Sequence, residues 1–200
     1  MTGDDLAYSF FGIQVAFKNF HRDPLRRTLH ELIAGSGGDA RQSPLEKQGF
    51  WKRFSARITE AMPVFEYGDW DLIRGGNAEE TFNQWVSEIE GSLATEPEEV
   101  GAAADEAVHL GSAPSYVLAT MMALVDKGSN ADETLGEWCD IPESQWLTRQ
   151  TFARLVSVFP RLNFAYVQAD AVYLVPGNDK DGLSAEDLVS ADYHHLQPLT

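Results

Sequence analysis

A single cysteine, Cys139, stands in the 200 residues, which excludes an internal disulfide framework and any multi-cysteine zinc site. Long apolar runs are missing too. The most apolar stretch, from Ser115 to Val125, is far shorter than the roughly 20 residues that a membrane-spanning helix needs. The start, Met1-Thr2-Gly3-Asp4-Asp5, carries two acids and lacks the basic opening of a signal peptide. A cytoplasmic protein without membrane insertion is the expectation. Basic charge is scarce: 15 Lys and Arg face 31 Asp and Glu, a formal net charge of −16. Nucleic-acid phosphates are repelled by such a chain, so no nucleic-acid partner is expected.

What the chain does hold is core material. Hydrophobic residues make up 44% and aromatics 11%, enough for one good core or two small ones. The charge is unevenly spread. Residues 1–62 carry nine Lys/Arg against seven Asp/Glu, whereas the remaining 138 carry six against 24, a net −18.

The pattern along the chain alternates strands and helices. Tyr8 to Phe17 reads as a strand, with a buried helix as the alternative. Asp23-Pro24 opens a helix whose Leu25, Leu29, Leu32 and Ile33 share one face. Ser43-Pro44 opens a second, with Phe50, Trp51, Phe54, Ile58 and Met62 on one side and Lys47, Lys52, Arg53 and Arg57 on another. Val64 to Ile73 predicts a strand with a bulge at Gly68, and Asn77 caps a third helix with Phe82, Trp85, Val86 and Ile89 inward. Thr95 to Pro114 reads as a linker or a loosely attached helix. A buried strand follows at 116–125, then helices at 132–138 and 151–159, a strand at 164–175, and a short terminal helix opening at Ser184-Ala185-Glu186-Asp187.

The expected class is α+β, mixed sheet or sheets with packed helices. Residues 1–94 and 115–200 form two strand-helix-helix-strand-helix halves joined by 95–114, and one compact domain is equally allowed. Phe65-Glu66-Tyr67 echoes Phe164-Ala165-Tyr166, and Ala78-Glu79-Glu80 echoes Ala185-Glu186-Asp187. Either a duplication or two similar segments sharing one sheet accounts for this.

No motif announces catalysis. Around Asp179-Lys180-Asp181-Gly182 the calcium-loop register puts Gly177 and Leu188 at ligand positions, so a polar turn is expected. Gly35-x-Gly37-x-x-Ala40 follows a helix instead of a strand and reads as a loop, not a dinucleotide site. Adjacent His194 and His195, near Asp192, point in different directions, and His21, His30 and His109 are isolated, so no metal or cofactor is expected. Cys139 beside Asp140 lacks the electropositive setting of a nucleophile.

Two clusters remain. Glu66, Asp69 and Asp71 beside Tyr67 and Trp70 form a candidate ligand-binding group, because Asp69 and Asp71 share a strand face; the alternative is an edge strand whose charges discourage aggregation. The basic face of Lys47, Lys52, Arg53 and Arg57 is a candidate interaction surface, able to dock on acidic residues of this chain or a neighbour, or simply solvated.

Several short motifs carry a family resemblance: Ile13-Gln14-Val15-Ala16, Tyr67-Gly68-Asp69-Trp70, and Ala78-Glu79-Glu80-Thr81-Phe82-Asn83. Tyr116-Val117-Leu118-Ala119-Thr120, Tyr173-Leu174-Val175-Pro176, Asp181-Gly182-Leu183-Ser184 and Tyr193-His194-His195-Leu196-Gln197-Pro198-Leu199 complete the set. Together they resemble the bacterial and plastid family of unknown function DUF1517. Tyr173, Val175 and His194 stand where that family has Trp, Thr and Pro. The resemblance implies no activity.

The sequence therefore favours a non-enzymatic interaction or scaffold protein with protein partners, self-association included. Its competitors are an enzyme or small-ligand binder with a site assembled from distant residues, and an acidic inhibitor of a basic protein.

Overall fold

The computed structural model of the chain describes residues 7–19, 24–36, 42–95, 115–177, 182–190 and 193–200. Its framework is one five-stranded sheet built from β1 (Tyr8–Asn19), β2 (Phe65–Arg74), β3 (Ser115–Asp126), β4 (Val167–Val175) and β5 (Gln197–Pro198), in the order β4-β3-β1-β2-β5. The class is α+β, but among the described residues every pairing is antiparallel, so the expected mixed sheet is corrected to an antiparallel one. The central pair joins the two halves of the chain: β1 and β3 run against each other from Tyr8↔Asp126 to Asn19↔Ser115. Residues on either side of 95–114 therefore share one sheet.

The two central strands are covered on both faces, which is why their sequences are nearly continuous in apolar residues. Phe11, Ile13, Val15 and Phe17 of β1, with Val117, Ala119, Met121 and Val125 of β3, point to the first face. Against it pack α1 (Pro24–Gly35), α2 (Pro44–Glu60), α4 (Asn130–Cys139) and α5 (Arg149–Val156), through Leu29, Trp51, Phe54, Leu135 and Phe152. Trp51 stacks on Phe159 with ring centroids 4.4 Å apart. The second face carries Phe10, Ala16, Leu118, Met122 and Leu124, covered by α3 (Ala78–Thr95) and by Leu188 and Leu196 near the C-terminus. Gly12 permits that cover. A Cβ there would stand 2.8 Å from the Trp85 ring of α3.

Each half runs strand, two helices on the first face, then a flanking strand, so the halves relate by an approximate two-fold between β1 and β3. Where α3 covers the second face in the first half, the described residues of the second half form a 3-10 turn, Asp187–Val189, in place of the expected terminal helix. Asp187 closes that turn reciprocally: Ser184 N donates to its carboxylate at 2.7 Å, and its own N–H reaches Ser184 Oγ at 3.1 Å. In a capping box the reciprocal bond ordinarily takes Glu or Gln at this position; the tight 3-10 turn brings the shorter Asp187 side chain within reach instead.

Local signals set the other boundaries. Ser43 and Glu46 form a full capping box at the start of α2. Thr148 caps α5, which ends at Val156, with a 3-10 turn at Phe159–Arg161 where the expected helix would have continued. Phe164–Tyr166 is another 3-10 turn, so β4 starts only at Val167. The expected cap Asp23, Gly37, Ala40, the 179–181 turn, Asp192 and most of the expected linker lie outside the described residues.

Candidate interaction site at the β2 edge

Strand β2 lies next to the rim of the sheet, and the C-terminal tail covers only its first part. Leu196 is buried on the second face and Leu199 on the first, so the tail crosses over the rim. In crossing it pairs Pro198 with Tyr67 and Gln197 with Gly68, and Leu199 N donates to Glu66 O at 2.8 Å. Among the described residues no strand pairs with the outer side of β2 from Asp69 to Arg74.

The five candidate ligand residues are divided by the pleat and by a bulge. The register breaks between Ala16 and Phe17, leaving Glu66 as the extra residue, two positions before the expected bulge at Gly68. Gly68 itself stays in register opposite Val15 and has another role: a Cβ there would come within 2.7 and 2.9 Å of Phe152 ring carbons. Glu66 is clamped, with Lys18 Nζ at 3.0 Å and Arg149 Nη2 at 3.8 Å, while Arg149 Nε donates to Phe65 O at 2.5 Å. Its carboxylate thus ties β1, the bulge and α5 together. Tyr67 packs on the second face, edge-on to Tyr116. Trp70 packs on the first face, 5.9 Å from Trp146 in an edge-to-face pair.

Asp69 and Asp71 remain together on the second face. Asp69 lies opposite Gln14, and Asp71 opposite Gly12. Neither forms an ion pair among the described residues. Burial and then the neighbouring Asp71 push the Asp69 carboxyl up to about 6, only partly offset by the Trp70 amide. Asp71 is the more open of the two, and partial desolvation raises it as well.

Beside Asp69 runs a buried polar row that sequence reasoning missed. Gln14 donates to Thr120 Oγ1 at 3.3 Å, and its carbonyl lies 2.5 Å from His195 Nε2. Burial and the adjacent His194 hold His195 below its ordinary value, so a neutral ring donating from Nε2 satisfies this contact. The row fastens the tail that ends at the β2 rim. On the opposite face, Trp146 and Leu147 are 43% and 39% exposed, with the Trp146 indole N–H held on Ile141 O at 2.8 Å. Trp146 extends the apolar strip of Trp70 and Leu72, while Leu147 O accepts from Thr200 N at 2.9 Å. No local spacing marks these residues as neighbours, because 76 positions separate Trp70 from Trp146. Arg74, at the far end of β2, is already used by Asp132, with Nε to Oδ1 at 3.2 Å.

The basic face of α2 divides as well. Lys47 bonds Asp170 of β4, whose other oxygen accepts from Trp51 Nε1 at 2.9 Å. Arg57 pairs with Glu60 one turn on at 2.8 Å, and Lys52 and Arg53 are exposed. Among the described residues, docking onto the acidic remainder is therefore made by one of the four, Lys47. A groove of about 460 Å³ between α1 and the end of α2 is lined by Pro24, Leu25, Thr28, Arg57, Glu60 and Val64, and shares only Arg57 with the candidate residues. Cys139 is half-buried, and burial pushes its thiol up to about 12 against the pull of Arg74 and Arg154; Asp140 is not the cause. Among the described residues no three His, Cys, Asp or Glu side chains gather as a metal site, and no helix is long and apolar enough to cross a membrane.

Family models, curated proteins and solved structures were each compared with the chain, and none matches.

Proposed function

We propose that this chain is a non-enzymatic interaction protein that binds a basic protein partner in the cytoplasm. The observation that carries this is the β2 rim. Two carboxylates on one face, Asp69 and Asp71, have no cation of their own among the described residues and sit where the sheet lacks its next strand. Two ionised carboxylates with partial desolvation repel each other, and an incoming Lys or Arg relieves both costs at once. The surrounding charge agrees, since residues 63–200 carry −18. The five residues do not converge on a pocket: Glu66 is consumed by Lys18 and Arg149, and Trp70 faces away from Asp69 and Asp71. That weighs against a small-ligand site at this place.

Any protein with this net charge attracts polycations diffusely, so the decisive test is local. A fluorescent oligolysine peptide is titrated into the wild-type chain and into Asp69→Asn/Asp71→Asn. Removing two of 31 acids barely alters diffuse attraction, whereas loss of a specific cation site weakens binding roughly fivefold or more. Equal affinity for both chains would remove the basis for this function.

A further inference from the structure

Resting on that reading, we infer that the partner is an extended segment that adds to the sheet as a sixth strand along Asp69–Arg74, with basic and apolar residues alternating. The rim already accepts a strand in this manner, since β5 pairs with Tyr67 and Gly68. It then leaves the rim, because Leu196 turns into the core of the second face and His195 fastens on Gln14. The rest of β2 presents outward backbone N–H and C=O groups at alternate residues, over about 20 Å.

The two faces of that rim ask for different side chains. On the second face a residue opposite or diagonal to Asp69 and Asp71 gains from positive charge. On the first face Trp70, Leu72 and the partly exposed Trp146, edge-on to Trp70, form an apolar strip. A strand places alternate residues on opposite faces, so one segment meets both demands only if cationic and apolar residues alternate.

A second copy of this chain is a poor occupant. Antiparallel pairing of β2 with itself brings four carboxylates onto one face as direct or diagonal neighbours, between molecules that each carry −16. The opposite rim, β4, is also without a described partner strand, but its one carboxylate, Asp170, is already bound by Lys47 and Trp51. Nothing there selects a partner by charge.

The test uses three capped peptides against the full chain at about 150 mM salt, where diffuse attraction is screened beyond roughly 8 Å. The first alternates, Lys-Val-Lys-Val-Lys-Val-Lys. The second has the same composition in blocks, Lys-Lys-Val-Val-Val-Lys-Lys. The third is the alternating peptide N-methylated throughout its interior, which keeps charge and removes the strand donors. We expect the alternating peptide to bind roughly tenfold more tightly than either control, and Asp69→Asn/Asp71→Asn to lose that advantage. Trp146→Ala, which truncates a partly exposed side chain, should weaken the alternating peptide several-fold while the fold stays intact by circular dichroism. If all three peptides bind alike through Asp69 and Asp71, strand addition is wrong while the basic partner survives. If none binds, both fail, and the two carboxylates serve only to guard the rim.

Discussion

Replacing Asp69 with asparagine removes one of two neighbouring carboxylates and leaves the shape of the site nearly unchanged. In the fold this carboxyl is pushed from its usual 3.8 up to about 6, by burial first and by Asp71 second. A raised carboxyl pKa means that the folded chain holds the proton more tightly than the unfolded chain. Stability is therefore lost as pH rises from about 4 through about 6, and the full cost is present above that range. At about 1.36 kcal/mol per pK unit the ceiling is about 3 kcal/mol, and solvent screening of this partly buried group cuts the expected cost to about 1–1.5 kcal/mol. The uncharged asparagine carries no such cost at any pH. The stability of Asp69→Asn relative to wild type should thus improve by about 1–1.5 kcal/mol between about pH 4 and pH 7.5, or roughly 2–5 °C in Tm. Urea unfolding followed by tryptophan fluorescence at several pH values reads this directly, with Asp71→Asn as the companion that shrinks the wild-type dependence. A gap that stays constant with pH would refute the partial burial of the Asp69 carboxyl, and an unchanged wild-type dependence in Asp71→Asn would refute its coupling to Asp71.

Three further outcomes follow from the packing. Gly68→Ala puts a methyl group into the fully buried Phe152 ring, and overpacking of about 1–3 kcal/mol outweighs the entropy gained by losing a strand glycine, so Tm falls. Asp170→Asn weakens the bonds from Lys47 and Trp51 and costs about 1–3 kcal/mol; paired with Lys47→Met in a double-mutant cycle, the two changes should be clearly non-additive. Cys139, with its thiol pushed up to about 12, should react with a thiol reagent at neutral pH far more slowly in the native chain than in urea, as timed absorbance will show.

How far the fold was legible follows from where its determinants lie. Helix starts set by adjacent side chains were readable: Ser43 with Glu46 is a complete local signal, and α2 begins where it says. The apolar run of β3 marks it as a buried strand, yet its pairing with β1 across about a hundred residues has no local signature. Gly68 predicts a bulge from sequence, but a glycine in a strand has two common explanations. Only the approach of Phe152, 84 positions away, separates them. At the candidate site the local pair, Asp69 and Asp71 on one strand face, was correctly seen from period-two spacing. What made it a rim was invisible, because that depends on where a tail some 125 residues later stops pairing. Glu66 looked like a member of the same cluster by proximity in sequence, and the bulge turned it toward Lys18 and Arg149.

Amide hydrogen exchange across β2 tests the docking rim most directly. In the free chain, the N–H groups of Asp69–Arg74 that point away from β1 should exchange quickly, because no described strand accepts from them. Saturation with Lys-Val-Lys-Val-Lys-Val-Lys should slow those amides about tenfold or more, and leave β4 amides unchanged. Unchanged exchange from Asp69 to Arg74 in the presence of bound peptide, or protection that arises on β4 instead, would contradict it.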